Sequence, residues 1–263
     1  MIQGIDVSHW QDDKSTARRI DFSKAVKMGA RFVFIKASER GGIDSDFEYN
    51  WKASKAAGLY RGAYHFLRWD LSGLLQARIF CDILDDDPGE LPPVADFEAP
   101  NKGSLYPSNA LLEQFLVEVE SRTKKKPMLY TSPGYWNIHG RNKYTKGFDA
   151  KWAYYPLWVA HYMKTYTPGV SAPYEMEPWK SSKKTWTFWQ YTNMGDGFAY
   201  GVESKTIDLN WFNGSLAELK NFASSSGGTT PTPTPTPTPA PKPDISGLKT
   251  RVNKAIDDWY NTL

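Results

Sequence analysis

Eight short runs of apolar and β-branched residues recur along the first 210 positions, most of them roughly 28–35 residues apart. They are Ile2–Val7, Arg31–Ala37, Tyr60–Leu67, Leu91–Glu98, Pro127–Thr131, Pro156–His161, Thr185–Tyr191 and Ser204–Leu209. Helical patterns fill the early gaps, over Ser23–Met28, Phe47–Ala57, Leu71–Leu84 and Ser108–Lys124. The last of these sets Leu111, Leu112, Phe115, Leu116 and Val119 on one face at the helical period. Later connections carry Gly, Pro, Tyr and Lys with little periodicity. Strands alternating with helices predict an α/β protein with a parallel sheet. Eight of them predict a single TIM-like β/α barrel, with outer helices reduced in its second half. An open doubly wound sheet is the structural alternative.

The barrel accounts for residues 1–222. Ser224–Gly228 then gives way to Thr229-Thr230 and Pro-Thr repeats, ending Ala240-Pro241-Lys242-Pro243. Residues 223–243 therefore read as a linker. Alternating prolines favour extended polyproline II, so residues 231–243 would span roughly 40 Å. In the tail, residues 244–263, Ile245, Leu248, Val252, Ile256, Trp259 and Leu263 fall at steps of three and four. That spacing draws one apolar stripe along a helix. A lone helix of this length is marginal in water. The tail is expected to associate with a second copy of the chain, dock on the barrel, or target a wall.

In a β/α barrel the chemistry sits at the C-terminal ends of the strands. Those ends carry Asp6, Ser8 and His9; Lys36 and Ser38; Tyr64 and His65; Asp96 and Glu98; Tyr130; Trp158 and His161; Gln190 and Tyr191; Asp208 and Asn210. Asp96-Phe97-Glu98 is the most specific. Residues two apart on a strand point to one side, which sets these carboxylates about 6.5–7 Å apart at the backbone. Like charges so placed push their pKa values apart, leaving one protonated near neutral pH and the other ionised. That is a general acid beside a charge stabiliser. Asp6 and Asp208, on the first and last strands, become neighbours when a barrel closes.

Composition narrows the substrate. Eleven tryptophans and fifteen tyrosines in 263 residues exceed what a core of this size needs. Surplus rings suit a groove whose walls stack on sugar faces, with Tyr64, Tyr130 and Trp158 as candidates. The net charge of +3 is a weak signal, and the sequence carries no nucleic-acid motif. No apolar run is long enough to span a membrane, so stable membrane insertion is not expected. The single cysteine, Cys81, excludes an internal disulfide framework. His9, His65, His139 and His161 lack the spacing of a metal motif, so neither a metal nor a cofactor is expected. A metal-dependent hydrolase is the rival reading, because Asp6, Asp96, Glu98 and Asp208 could cage Mg²⁺ or Ca²⁺. A non-catalytic wall-binding module is another.

Several segments together resemble the family 25 glycoside hydrolases, the Chalaropsis-type lysozymes common among phage endolysins and secreted muramidases. They begin with Gly4-Ile5-Asp6-Val7-Ser8-His9-Trp10-Gln11, Phe34-Ile35-Lys36-Ala37-Ser38-Glu39 and Gly62-Ala63-Tyr64-His65-Phe66. Asp96-Phe97-Glu98, Leu129-Tyr130-Thr131, Leu157-Trp158-Val159-Ala160, Trp189-Gln190-Tyr191 and Ile207-Asp208-Leu209-Asn210 follow in order. The likeness spans about residues 2–222 and stops before the linker. It implies a β/α barrel that cleaves the β-1,4 bond between N-acetylmuramic acid and N-acetylglucosamine in bacterial peptidoglycan. By this resemblance Glu98 donates the proton to the leaving oxygen, with Asp96, Asp6 and Asp208 around it. Asp96 is expected to stay ionised, stabilising an oxocarbenium or orienting the muramic acetamido group. Tyr64, Lys36, Tyr130, Trp158, Gln190, His65 and Asn210 are expected to bind substrate. Gln190 would hold a sugar hydroxyl or a neighbouring carboxylate. A chitinase-like or other N-acetylhexosaminidase is the nearest alternative activity. Met1 runs straight into the first strand and leaves no room for a signal peptide. Synthesis in a host cytoplasm with release at lysis is expected, or secretion with a leader removed.

Overall fold

The computed structural model describes residues 1–12, 15–98, 105–163, 167 and 171–225. The tail and all of the linker beyond Ser225 lie outside the described residues.

The strands are β1 (Ile2–Val7), β2 (Phe32–Glu39), β3 (Gly42–Ile43), β4 (Tyr60–Phe66), β5 (Val94–Asp96), β6 (Met128–Thr131), β7 (Leu157–Ala160), β8 (Phe188–Asp196) and β9 (Thr206–Phe212). β3 is a two-residue hairpin partner on the edge of β2. The other eight close into a barrel, because β1 pairs with β2 on one side and β9 on the other. Neighbours from β1 round to β8 are parallel. β9 runs antiparallel to both β8 and β1, which corrects the expectation of parallel strands throughout. The link from β8 to β9 holds one helical turn, too short for the crossover that parallel strands need, so the chain reverses as a hairpin.

Seven helices surround the described barrel: α1 (Phe22–Lys27), α2 (Phe47–Ala56), α3 (Gly73–Leu84), α4 (Asn109–Thr123), α5 (Pro133–His139), α6 (Gly197–Tyr200) and α7 (Leu216–Ser225). The first four match the periodic segments closely. Serine side chains start α3, α4 and α5 by accepting from the backbone N–H of Leu75, Leu111 and Tyr135. α7 plugs the lower end of the barrel. Its Leu219 and Ala223 are buried in the interior, and Phe222 lies 5.9 Å from Phe188 and 6.0 Å from Phe212. It runs to Ser225, across the boundary expected at residue 222.

Strand alternation divides the apolar residues into two cores. Val33, Ile35, Ala95, Leu129, Val159 and Trp189 face outward beneath the helices. Phe32, Phe34, Val94, Met128, Trp158, Phe188 and Phe212 fill the barrel itself. Two inward glycines make room for this filling. A Cβ on Gly4 would meet the Phe32 ring at 2.4 Å, and one on Gly62 would meet the Phe34 ring at the same distance. These rings are wedged against Phe188 and Trp158 and have nowhere to retreat. Gly62→Ala is therefore expected to destabilise the fold by about 1–3 kcal/mol through overpacking, read as a lower midpoint in denaturant.

Candidate active site

Above the aromatic filling, the same alternation turns polar side chains into the open end of the barrel. Asp6, Lys36, Tyr64, Asp96, Tyr130, Gln190 and Asp208 come from seven different strands. Asp6 sits directly opposite Asp208 in the β1–β9 register. Because β9 is antiparallel, Asp208 lies near its start. The beginning of that strand shares a rim with the C-terminal ends of the others.

Glu98 follows the last residue of β5. Phe97 between the two acids packs outward against Tyr135 and Trp136, which leaves Asp96 and Glu98 on the inner side. The Phe97 N–H donates to the Tyr130 carbonyl at 2.9 Å and holds this segment against β6.

Asp6 is the most tightly held of the four acids. Its Oδ2 accepts from Gln190 Nε2 at 2.9 Å and from Asn210 Nδ2 at 2.7 Å. Gln190 Oε1 accepts in turn from the hydroxyls of Tyr130 at 2.9 Å and Tyr162 at 2.7 Å. Asn210 Oδ1 accepts from Trp158 Nε1 at 2.8 Å. Gln190 thus holds a carboxylate, one of the two roles expected of it. Asn210 and Trp158 are buried beneath the acids as part of the floor, and Trp158 stacks on Phe34 at 4.2 Å. Tyr64 remains half-buried at the mouth, edge-on to Trp158.

Lys36 Nζ pairs with Glu39 Oε2 at 2.6 Å and lies 5.0 Å from the Phe66 ring centre. Glu39 also accepts from Arg68 at 3.0 Å. Lys36 favours the ionised forms of both Asp96 and Glu98. Burial opposes it. Glu98 is pushed up to about 7, first by burial and then by the charge of Asp6. Burial and the charge of Glu98 lift Asp96 well above the usual carboxylate range. The expected split, with Asp96 ionised beside a protonated Glu98, is therefore not what burial alone sets up. Asp208 is raised to about 9 by burial and by Asp6. Asp6 is also raised by burial, against the pull of its hydrogen bonds to Gln190, Asn210 and Asp208.

One expected substrate residue is not brought to the site. His65 points outward from β4, one residue out of phase with Tyr64. Its Nδ1 lies 2.7 Å from Ser38 Oγ, its Nε2 lies 3.0 Å from Gln76 Oε1, and its ring stacks on Phe115. His161 is similarly out of phase with Trp158, and the residue that reaches the site there is Tyr162. Strand parity carried that signal, since Trp158, Ala160 and Tyr162 share one side. Glu39, behind Lys36, had no comparable signal. Among the described residues no group of three or more His, Cys, Asp and Glu side chains is arranged to hold a metal ion.

A closed barrel with two carboxylates side by side at its mouth, one of them holding a proton near neutral pH, is the equipment of a glycosidase. Residues 5–197 match the family described as Glycosyl hydrolases family 25. The chain belongs to this family and is a glycoside hydrolase of the lysozyme type. It is 34% identical to lysozyme M1 of Streptomyces globisporus over 236 residues, 86% of this chain and 72% of that protein. It is 35% identical to the Escherichia coli protein YegX over 227 residues, 84% of this chain and 73% of that one. The crystal structure of a bacterial lysozyme from Streptomyces coelicolor superposes with a TM-score of 0.66 at 32% identity, covering 86% of this chain and 98% of that one.

The placement of His65 has a measurable consequence. Burial lowers its pKa from 6.5 to about 4, so it folds neutral. Between those values the unfolded chain binds a proton that the native state refuses. Stability from this group is complete above pH 6.5 and declines as pH falls towards 4, by about 3 kcal/mol. His65→Gln should flatten that part of the stability–pH curve in denaturant titrations.

Proposed function

We propose that the protein cleaves the β-1,4 bond between N-acetylmuramic acid and N-acetylglucosamine in bacterial peptidoglycan, with Glu98 as the general acid. The observation that carries this reading is the environment of Glu98. A largely buried carboxyl beside Asp6, raised to about 7, holds a proton near neutral pH and can give it to a leaving glycosidic oxygen. Tyr64 and Tyr130 would line the sugar site, and Lys36 would keep the acids from all being neutralised.

Asp96 supports a substrate-assisted route. Its Oδ1 is buried with no hydrogen-bond partner among the described residues. A buried acceptor is costly to leave unmatched, and the amide N–H of an N-acetyl sugar is a fitting donor. In this route the acetamido oxygen attacks C1 while Glu98 protonates the leaving oxygen, and the C1–O bond breaks. Asp96 holds the N–H of the resulting oxazolinium. Water then attacks C1 and gives its proton to Glu98, while the C1–O bond of the oxazolinium ring breaks and restores the acetamido group.

Digestion of purified peptidoglycan, followed by mass spectrometry of the new reducing ends, tests the reading. Muramic acid ends are expected. Glucosamine ends would overturn it in favour of another N-acetylhexosaminidase. Glu98→Gln should lower kcat by roughly 10²–10⁴-fold without unfolding the barrel.

A further inference from the structure

Asp6 and Asp208 face each other across the β1–β9 seam with their carboxyl groups in hydrogen-bonding contact. Two carboxylates so close and so buried must share a proton. Which of them carries it depends on residues lying beneath the acids.

The chain of bonds begins at Trp158. An indole N–H donates and never accepts, so the atom 2.8 Å from Trp158 Nε1 must be the oxygen of the Asn210 amide. Both side chains are buried, at 2% and 0% exposure, so a reversed amide would set N–H against N–H with no solvent to relieve it. The Asn210 amide nitrogen is thereby forced to face Asp6 Oδ2, 2.7 Å away. Gln190 Nε2 donates to the same oxygen at 2.9 Å, with its own carbonyl taken up by Tyr162 and Tyr130. Two N–H donors on one carboxyl oxygen favour the ionised form. Asp208 receives no such donor among the described residues; its hydrogen-bond partner is Asp6.

We propose that Trp158, acting through Asn210, is a positioning residue that makes Asp6 the ionised and Asp208 the protonated member of this carboxyl pair. Asp208 then donates to Asp6, and the negative charge stays on Asp6, the acid whose charge raises Glu98. The direction of the Asp208 shift, up to about 9, agrees with this assignment. The other titratable groups facing the pair are Lys36, Tyr64, Asp96, Glu98, Tyr130 and Tyr162. The phenols among them are raised and stay neutral. Lys36 is engaged by Glu39. The kinetic consequence rests on Glu98 being the acid; the protonation pattern does not. Losing the Trp158 N–H frees the Asn210 amide to turn, the proton shifts towards Asp6, and Glu98 loses part of the charge that keeps it protonated.

The test is a ¹³C carboxyl NMR titration of the full-length protein with assigned aspartate side chains. At pH 7 the Asp208 Cγ should report a protonated acid and the Asp6 Cγ an ionised one. In Trp158→Phe the two signals should move towards each other, and the alkaline limb of kcat/KM should fall by about half a pH unit. The reverse assignment in the wild type would overturn the proposal. So would a folded Trp158→Phe protein whose carboxyl signals and alkaline limb are unmoved. Asn210→Ala removes the same donor with a smaller side chain and should reproduce the shift if Trp158→Phe does not fold. Loss of peptidoglycan cleavage by Glu98→Gln is a separate outcome, so failure of the acid assignment and failure of this one are distinguishable.

Discussion

The seam where β1 meets antiparallel β9 is the constraint on which the rest of the site depends. It closes the barrel, and its register places Asp6 directly against Asp208. Closure excludes water from the mouth on all sides but one, so the acids are raised chiefly by burial. The proton on Glu98 follows from the same seam, because Asp6 is the largest charge acting on it.

The aromatic filling below is the second support. Phe34 and Trp158 stack in the barrel because Gly62 leaves room for the first ring. Trp158 then presents its one polar atom upward to Asn210, and through it to Asp6. Packing and electrostatics meet in this side chain. A layer that would otherwise be inert filler fixes the direction of a hydrogen-bond chain ending on a carboxylate. A buried polar network of this kind rigidifies its members only when each of them is satisfied. Asp96 Oδ1 lacks a partner among the described residues.

Much of this was legible in the chain. The eight strands fall where the apolar runs lie, and the first four helices fall where the helical patterns lie. Asp6, Asp96, Glu98 and Asp208 meet as the strand ends imply. Two kinds of information were harder to read. The direction of β9 is set by the shortness of its link to β8, so Asp208 reached the rim from the opposite end of its strand. Strand ends also name residues without regard to phase: His65 and His161 sit beside inward positions and face out, while Tyr162 faces in. The depth of Trp158 and Asn210 depends on the register of four strands at once, which no local pattern encodes.

The central claim is that Glu98 is held protonated near neutral pH by burial and by the charge of Asp6. The most direct measurement is the ¹³C titration of the Glu98 side-chain carboxyl in the wild type and in Asp6→Asn. A wild-type midpoint near 7 that falls in the variant is expected. A wild-type midpoint at the ordinary glutamate value of 4.5, or one indifferent to Asp6, would contradict it.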